Sequence, residues 1–158
     1  MILGGKALEY SDLYHADGIN RELRRDVLVF DWWVHNADRN LTATGGNPNL
    51  LWNPQNDGSL VVIDHNLAFD PVFSPRDFVQ LHVFAEDIPL LFSDFLAKDA
   101  YVERLGAALG IWAEACGNIP EAWYFVDPER TIPLDFSLTD TRTLLDRAFD
   151  ETFWLLPP

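Results

Sequence analysis

Positive charge is scarce in this sequence. It contains two lysines, Lys6 and Lys98, and its 11 Lys and Arg residues face 25 Asp and Glu, which gives a formal net charge of −14. Proteins that bind nucleic acid neutralise phosphates with clustered Lys and Arg, so the composition argues against a nucleic-acid partner. An acidic surface suits a basic protein partner, although it is first of all an ordinary route to solubility.

Cysteine and long apolar runs are scarce as well. The single Cys116 has no partner for an internal disulfide, and we expect it to be a small core residue in a reduced, cytoplasmic setting. No apolar run approaches the roughly 20 residues that span a membrane. The starting segment MILGGKALEYSD lacks the apolar core and basic start of a signal peptide.

What is abundant is apolar and aromatic sequence. The 158 residues are 48% apolar and 13% aromatic, with six Trp, which is typical of a globular protein and not of a disordered one. This length suits one domain with a real core. We expect that domain to cover residues 1–158, with the functional loops at 31–70 and a helical scaffold at 76–158.

Hydrophobic periodicity predicts a mainly α fold with a small β-hairpin. Ile19, Leu23, Val27, Phe30 and Val34 form one apolar stripe, which predicts a helix at about 19–35 with its arginines on the solvent side. Two apolar runs around a strong turn predict the hairpin, and TATGGNP reads as a loop. The other predicted segments are helices at 76–82, 88–96, 97–117 and 141–153, strands at 50–52 and 60–63, a turn at 53–58 and a loop at 42–48. Thr139-Asp140 is predicted to cap the last of these helices, with Phe149 pointing inward.

Two aspartates frame an Asn-rich loop between the first helix and the end of the hairpin. Asp38 follows the helix, Asn47 and Asn49 precede the first strand, and Asp64 follows the second. A carboxylate at Asp38 can accept a proton from a hydroxyl, while amide and carboxylate oxygens suit Mg²⁺. A base Asp, an Asn, a hairpin and a metal-binding Asp follow one another in this order in protein kinases.

Three short motifs carry a resemblance to one group of kinases. NADR at 36–39, NPNLLW at 47–52 and IDH at 63–65 occur in the order found in HipA-like kinases, which these segments resemble. The resemblance covers nearly the whole chain and implies a protein-kinase-like C-terminal lobe. It further implies an enzyme that uses ATP and Mg²⁺ to phosphorylate a protein Ser or Thr hydroxyl.

Site roles carried over from that resemblance fall on the motif residues. Asp38 would be the catalytic base, and Arg39 would orient or pair a carboxylate. Asn49 would be the Asn metal ligand, with Asn47 competing for that role, and Asp64 would be the principal Mg²⁺ ligand. The site for the bound Mg²⁺ and ATP would consist of Asn47, Asn49, Asp64 and His65.

The remaining motif positions show where the chain departs from the group. His65 would support the metal-binding Asp64 from behind, and Asn66 stands where the group has Gly. The loop at 41–46 is longer than usual. Upstream of Ile19 we find no glycine-rich strand pair, no strand Lys and no partner Glu helix, so we expect the N-terminal lobe to be absent. The chain would then be either a fragment of a longer protein or one half of a split kinase that another chain completes. Self-association through the surface where that lobe would dock stays open.

Three functional hypotheses follow. The first is the catalytic lobe of a HipA-like kinase, with a protein substrate or an N-lobe-supplying chain as partner. The second is an inactive kinase-like lobe that binds proteins. The third is a metal-dependent hydrolase built on Asp38, Asp64, His35 and His65, which lacks the helical His spacing of such enzymes. Structural turn roles for Asp38, Asn47 and Asn49 are the plain alternative to all three.

Overall fold

The fold was analysed in a computed structural model that describes residues 6–7, 18–42, 44–53 and 59–156. Over these ranges the chain forms α-helices and two small antiparallel sheets, which confirms the predicted mainly α fold with a small hairpin. None of the helices in this part of the chain combines the length and hydropathy that crossing a bilayer requires.

Helices are spread along the whole described chain, and the strands lie in its first half. The helices are α1 (Arg21–Trp33), α2 (Pro75–Leu81), α3 (Ile88–Phe92), α4 (Phe95–Leu109), α5 (Trp112–Gly117) and α6 (Leu138–Asp146). Short 3₁₀ turns occupy Ala85–Asp87, Glu121–Tyr124, Arg147–Phe149 and Glu151–Trp154. The strands are β1 (Lys6–Ala7), β2 (Asn40–Thr42), β3 (Gly45–Asn47), β4 (Leu50–Asn53) and β5 (Ser59–Val62).

The first helix, α1, is the centre of the core. Asn20 caps it by accepting the Glu22 backbone N–H at 2.8 Å. The Trp32 indole N–H donates to the Phe153 carbonyl at 3.0 Å, and that of Trp33 donates to Leu145 at 2.8 Å, so both buried indoles are satisfied. Rings that pack around Trp32 come from distant parts of the chain: Phe73, Phe78, Phe92 and Phe153.

The predicted hairpin is confirmed. β4 and β5 pair antiparallel with Leu50 opposite Val62. β1 adds a third strand to this sheet, with Lys6 opposite Trp52, which the sequence did not predict. The expectation that no strand Lys lies upstream of Ile19 is therefore wrong. Of the predicted turn at 53–58, residues 54–58 lie outside the described residues.

The predicted loop at 42–48 is wrong, because β2 and β3 form a second hairpin there. Asn40 pairs with Asn47, and Thr42 pairs with Gly45. Gly45 and Gly46 have φ of 133° and 155°, which side chains rarely adopt, so the glycines make the reversal possible. Strand propensity is low in a Gly-Gly-Asn sequence, and this is why the hairpin is invisible in the pattern.

Several predicted helix bounds differ from the structure. The predicted helix at 97–117 is two helices, because the Gly110 N–H bonds back to Gly106 and Ala107 and ends α4. Cys116 lies on the short α5 and is only partly buried, not a core residue. The predicted helix at 88–96 likewise divides between α3 and α4, since Asp94 caps a new helix by accepting the Ala97 N–H at 3.1 Å.

The last helix also differs from its prediction. It starts at Leu138, and its cap is Ser137, which accepts the Asp140 N–H at 3.2 Å, instead of the predicted Thr139-Asp140 pair. It ends at Asp146 and gives way to 3₁₀ turns. Phe149, predicted to point inward, is therefore 53% exposed.

A buried ion pair joins α1 to the turn before α3. Arg24, predicted on the solvent face, is buried, and its Nε lies 2.6 Å from Oδ2 of the equally buried Asp87. Charged groups are rarely buried unless paired, so this contact fixes how the 85–87 turn packs on α1.

Candidate active site

Asp38 sits in the loop that leaves the buried end of α1. Asn36, which is 1% exposed, accepts the Asp38 backbone N–H on its Oδ1 at 3.4 Å. The Nδ2 of Asn36 donates to Oδ1 of Asp31 at 2.8 Å, and its backbone N–H donates to the Asp31 carbonyl at 2.9 Å. The loop before Asp38 is thus anchored on the last turns of α1, and Asp38 itself stays partly exposed.

The structure brings Asn49 into direct contact with Asp38. The Asn49 Nδ2 donates to Asp38 Oδ2 at 2.9 Å and approaches the Asp38 carbonyl at 3.3 Å. Asn49 is 7% exposed and has φ of 49°, a left-handed conformation that Asn tolerates better than most residues. Asn47 is placed differently, since it is exposed on β3 opposite Asn40.

Arg39 connects the end of α1 to the backbone at both ends of the β4–β5 hairpin. Its buried guanidinium donates from Nε to Asp31 Oδ2 at 2.7 Å. Its Nη1 faces three backbone carbonyls: Pro48 at 3.2 Å, Asn49 at 2.7 Å and Ile63 at 3.4 Å. The expectation that Arg39 pairs a carboxylate therefore finds its partner in Asp31.

Asp64 comes directly after Ile63, whose carbonyl faces the Arg39 guanidinium. The Ile63 N–H donates to the Asn49 carbonyl at 3.0 Å, so the backbone before Asp64 also lies against the Asn49 loop. Asp64 has φ of 52° and is exposed. No side chain in the described ranges donates to its carboxylate, which leaves those oxygens available to a ligand.

His65 packs on α1. Its ring meets Phe30 edge-on with centroids 5.5 Å apart. With Leu60 and Val62 it borders a cavity of about 310 Å³ between α1 and the hairpin. The support of Asp64 by His65 stays a prediction.

His35 is set apart from Asp38 by its own packing. It has φ of 53° and stacks on Phe73 with ring centroids 4.3 Å apart. Burial, together with the nearby Arg147 charge, lowers the pKa of His35 to about 4, so the ring is neutral near pH 7. In the part of the chain that the structure describes, no three His, Cys, Asp or Glu side chains converge as metal ligands, so the hydrolase hypothesis gains no support.

Two residues near the site, Asp31 and His82, were not predicted from the sequence. Asp31 is fully buried, and His82 at the end of α2 approaches its Oδ2 with Nε2 at 3.0 Å. A carboxylate in the apolar run FDWW needs a buried partner, and this signal could have found Asp31. For His82 no spacing or motif gives such a signal.

Protonation states in this buried group follow from the contacts. Burial would raise the pKa of Asp31, but His82 and Arg39 outweigh it and hold that pKa below its usual value. Burial lowers the pKa of His82 despite the opposing effect of Asp31. The Phe84 N–H donates to His82 Nδ1 at 3.1 Å, so the neutral ring carries its proton on Nε2 and donates to Asp31.

The structure thus brings a carboxylate after a helix end into contact with an Asn that precedes a hairpin, and a second carboxylate follows that hairpin. A sequence profile of the HipA-like kinase family matches residues 5–156. The chain belongs to the HipA-like kinase family, which confirms the resemblance drawn from its motifs. No curated protein and no solved structure matches it.

Proposed function

We propose that this chain is the catalytic lobe of a HipA-like kinase that transfers the γ-phosphoryl group of ATP to a Ser or Thr hydroxyl of a protein. The observation that carries the proposal is the hydrogen bond from Asn49 to Asp38, which joins the helix end to the hairpin loop. The kinase-like C-terminal lobe as a fold is part of this proposal.

Asp38 is the proposed general base. One carboxylate oxygen, Oδ2, accepts the Asn49 amide, and no described residue donates to Oδ1. The bond to Asn49 fixes the rotation of the carboxylate, which leaves Oδ1 to accept the proton of the substrate hydroxyl. Positioned bases of this kind contribute typically about 10²–10⁴-fold to a rate.

Asn49 and Asp64 are the proposed Mg²⁺ ligands. Because the Asn49 Nδ2 is engaged with Asp38, its Oδ1 is turned to another side, where no described residue donates to it. Mg²⁺ prefers hard oxygen ligands and is usually held by one or two protein groups together with substrate phosphates and water, which this pair fits. When bound, Mg²⁺ would neutralise charge on the ATP phosphates. Asn47, exposed on β3, is the competing candidate for the amide ligand.

The partners proposed are a protein substrate and a chain that supplies an N-terminal lobe. Transfer of a phosphoryl group depends on positioning and electrostatics, and the N-terminal lobe would provide the grip on the nucleotide. We place the kinase in the cytoplasm, where ATP and Mg²⁺ are available. The net charge of −14 favours a basic protein substrate over a nucleic acid.

The test is Mg²⁺-dependent turnover of radiolabelled ATP by the purified chain, alone and with a separately expressed N-terminal lobe of a HipA-like kinase. ATP hydrolysis and labelling of a basic test protein are both measured. Asp38→Asn and Asp64→Asn should each lower the rate by about 10²-fold or more. Asp99→Asn, an exposed carboxylate on α4 without a described partner, is the matched control and should keep the wild-type rate.

A second candidate function is a protein-binding module without catalysis. Apolar side chains stand out from the segment between α5 and α6, where Trp123 is 69% and Val126 is 65% exposed. Such exposure is typical of contact surfaces. If turnover is equal in the wild type, Asp38→Asn and Asp64→Asn, the kinase proposal is wrong and the module is the better description.

A further inference from the structure

We propose that Asp31, Arg39 and His82 form a buried positioning triad that holds Asp38, Asn49 and Asp64 in register. The three residues touch neither substrate nor metal in this proposal, and they act through the backbone of the residues that do. The inference rests on the proposed kinase function for its activity readout, but its geometric readout is independent of it.

Arg39 is the central member. Its Nε donates to Asp31 Oδ2 at 2.7 Å and its second terminal nitrogen approaches Oδ1 at 3.4 Å, so Asp31 fixes the plane of the guanidinium. That plane directs Nη1 at the carbonyls of Pro48, Asn49 and Ile63. One nitrogen therefore binds the Asn49 carbonyl and the peptide group immediately before Asp64.

Both residues held in this way have a left-handed backbone conformation. Asn49 and Asp64 have φ of 49° and 52°. A left-handed conformation is unfavourable for a residue with a side chain, although Asn and Asp tolerate it better than most. Charge-assisted hydrogen bonds to the adjacent carbonyls can offset such a cost, because they are stronger than neutral ones. The guanidinium thus stabilises the backbone turn at both proposed Mg²⁺ ligands.

Asp31 extends the triad to the proposed base. Its Oδ1 accepts the Asn36 Nδ2 at 2.8 Å, and the Asn36 Oδ1 in turn accepts the Asp38 N–H at 3.4 Å. The carboxylate therefore connects to all three site residues: to Asp38 through Asn36, and to Asn49 and Asp64 through Arg39.

His82 connects the triad to α2. Its Nε2–H donates to Asp31, and its backbone lies opposite Asn40 in an isolated β-bridge. The next residue, Val83, donates its N–H to the Arg39 carbonyl at 3.0 Å. A displacement of α2 would therefore reach Asp31 and the Asp38 loop together.

A role in stability alone does not explain this arrangement. Replacing a buried ion pair with apolar side chains of similar size is often neutral or stabilising, so three buried polar side chains are a poor way to gain stability. What the triad supplies, and apolar packing does not, is directional contact with the backbone beside each site residue.

The first test is Arg39→Lys. A lysine keeps the charge but has a single point-like ammonium, which cannot bind Asp31 and the carbonyl group at the same time. We expect a folded protein whose kcat falls by about 10²-fold and whose Mg²⁺ concentration for half-maximal rate rises, with the KM for ATP changing much less. Arg142→Lys, in an exposed pair with Asp146 on α6, is the matched control and should keep the wild-type rate.

The second test compares His82→Gln with His82→Phe. Glutamine can place an N–H near the position of Nε2, whereas phenylalanine fills the space without a donor. If the bond to Asp31 matters, Gln should retain at least about threefold more activity than Phe at similar thermal stability. Equal activity of the two folded variants would overturn the role of His82.

A third readout needs no activity. In ¹⁵N-labelled protein without ligand, Arg39→Lys should shift the side-chain amide signal of Asn49 and the backbone amide signal of Asp64, while signals of α4 stay in place. If the wild type transfers no phosphoryl group, the kinase function is rejected. The shifts of the Asn49 and Asp64 signals would still test whether the triad positions these residues. If Arg39→Lys does not fold, the His82 pair is judged on the same signals, and unchanged Asn49 and Asp64 signals overturn the proposal.

Discussion

Asn49 donates its side-chain amide to the carboxylate of Asp38 over 2.9 Å, and this bond joins two loops that are 11 residues apart in the chain. Asp38 belongs to the end of α1 and Asn49 to the start of β4, so the bond fixes a helix against a hairpin. The donor residue, Asn49, has a φ of 49°. The bond therefore depends on the left-handed backbone of Asn49 as well as on its side-chain amide.

Two substitutions at Asn49 separate these contributions. Asn49→Gly keeps the left-handed backbone without strain and removes the amide, so stability should stay close to wild type while transfer falls by about tenfold or more. Asn49→Ala should show the same loss of transfer and a further loss of about 1 kcal/mol in the free energy of unfolding. Urea unfolding and Mg²⁺-dependent turnover measure the two effects, and a wild-type rate in Asn49→Gly would refute the orienting role.

The Arg24–Asp87 pair should be the most sensitive ion pair outside the site. Asp87 is 2% exposed, so Asp87→Asn removes the buried carboxylate from Arg24, whose Nη1 still lies 2.9 Å from the largely exposed Glu86. Breaking a buried pair in this way typically costs about 3–5 kcal/mol in the free energy of unfolding. Asp146→Asn, in the exposed pair with Arg142, should cost about 0.5 kcal/mol or less by the same urea titration. Equal losses in the two variants would contradict this difference.

The sequence predicted what depends on local pattern. The apolar stripe of α1 carries a periodic signal, and the apolar runs of β4 and β5 lie on either side of a strong turn. All three elements are found within two residues of the predicted bounds. The family was also within reach, because it depends on short motifs whose residues are contiguous.

What the sequence could not show are contacts made across the fold. His82 meets Asp31 across 51 positions, and nothing local to His82 marks it as a partner. Arg24 lies on the polar side of the α1 pattern, yet the turn at Asp87 covers it. The burial of these side chains depends on tertiary packing, which the periodicity of a single helix does not predict.

Gly46 should be the least replaceable residue of the β2–β3 hairpin. A Cβ at Gly46 would lie 2.5 Å from the Asn40 carbonyl oxygen, two residues after Asp38, whereas a Cβ at Gly45 would meet nothing within 4 Å. Both glycines have positive φ, so Gly45→Ala measures the backbone strain alone. Gly46→Ala should lose about 1–3 kcal/mol more than Gly45→Ala in urea unfolding. Equal stability of the two variants would mean that the hairpin does not approach Asn40 this closely.

His35 should make stability depend on pH below neutrality. Burial and Arg147 lower its pKa in the folded protein to about 4, from an ordinary value of 6.5. Between these values the unfolded chain binds the proton and the folded protein does not, so the contribution of His35 is complete above pH 6.5 and is lost as the pH falls toward 4.

We expect that loss to reach roughly 2 kcal/mol, since one pKa unit corresponds to about 1.4 kcal/mol and the ring keeps some contact with solvent. Other carboxylates titrate in the same range, so the measurement is the difference between the wild type and His35→Asn. Asparagine does not titrate and tolerates the φ of 53° at this position. As the pH falls, the unfolding free energy of the wild type should decrease more than that of His35→Asn. Parallel pH curves for the two proteins would show that His35 is not buried as a neutral ring.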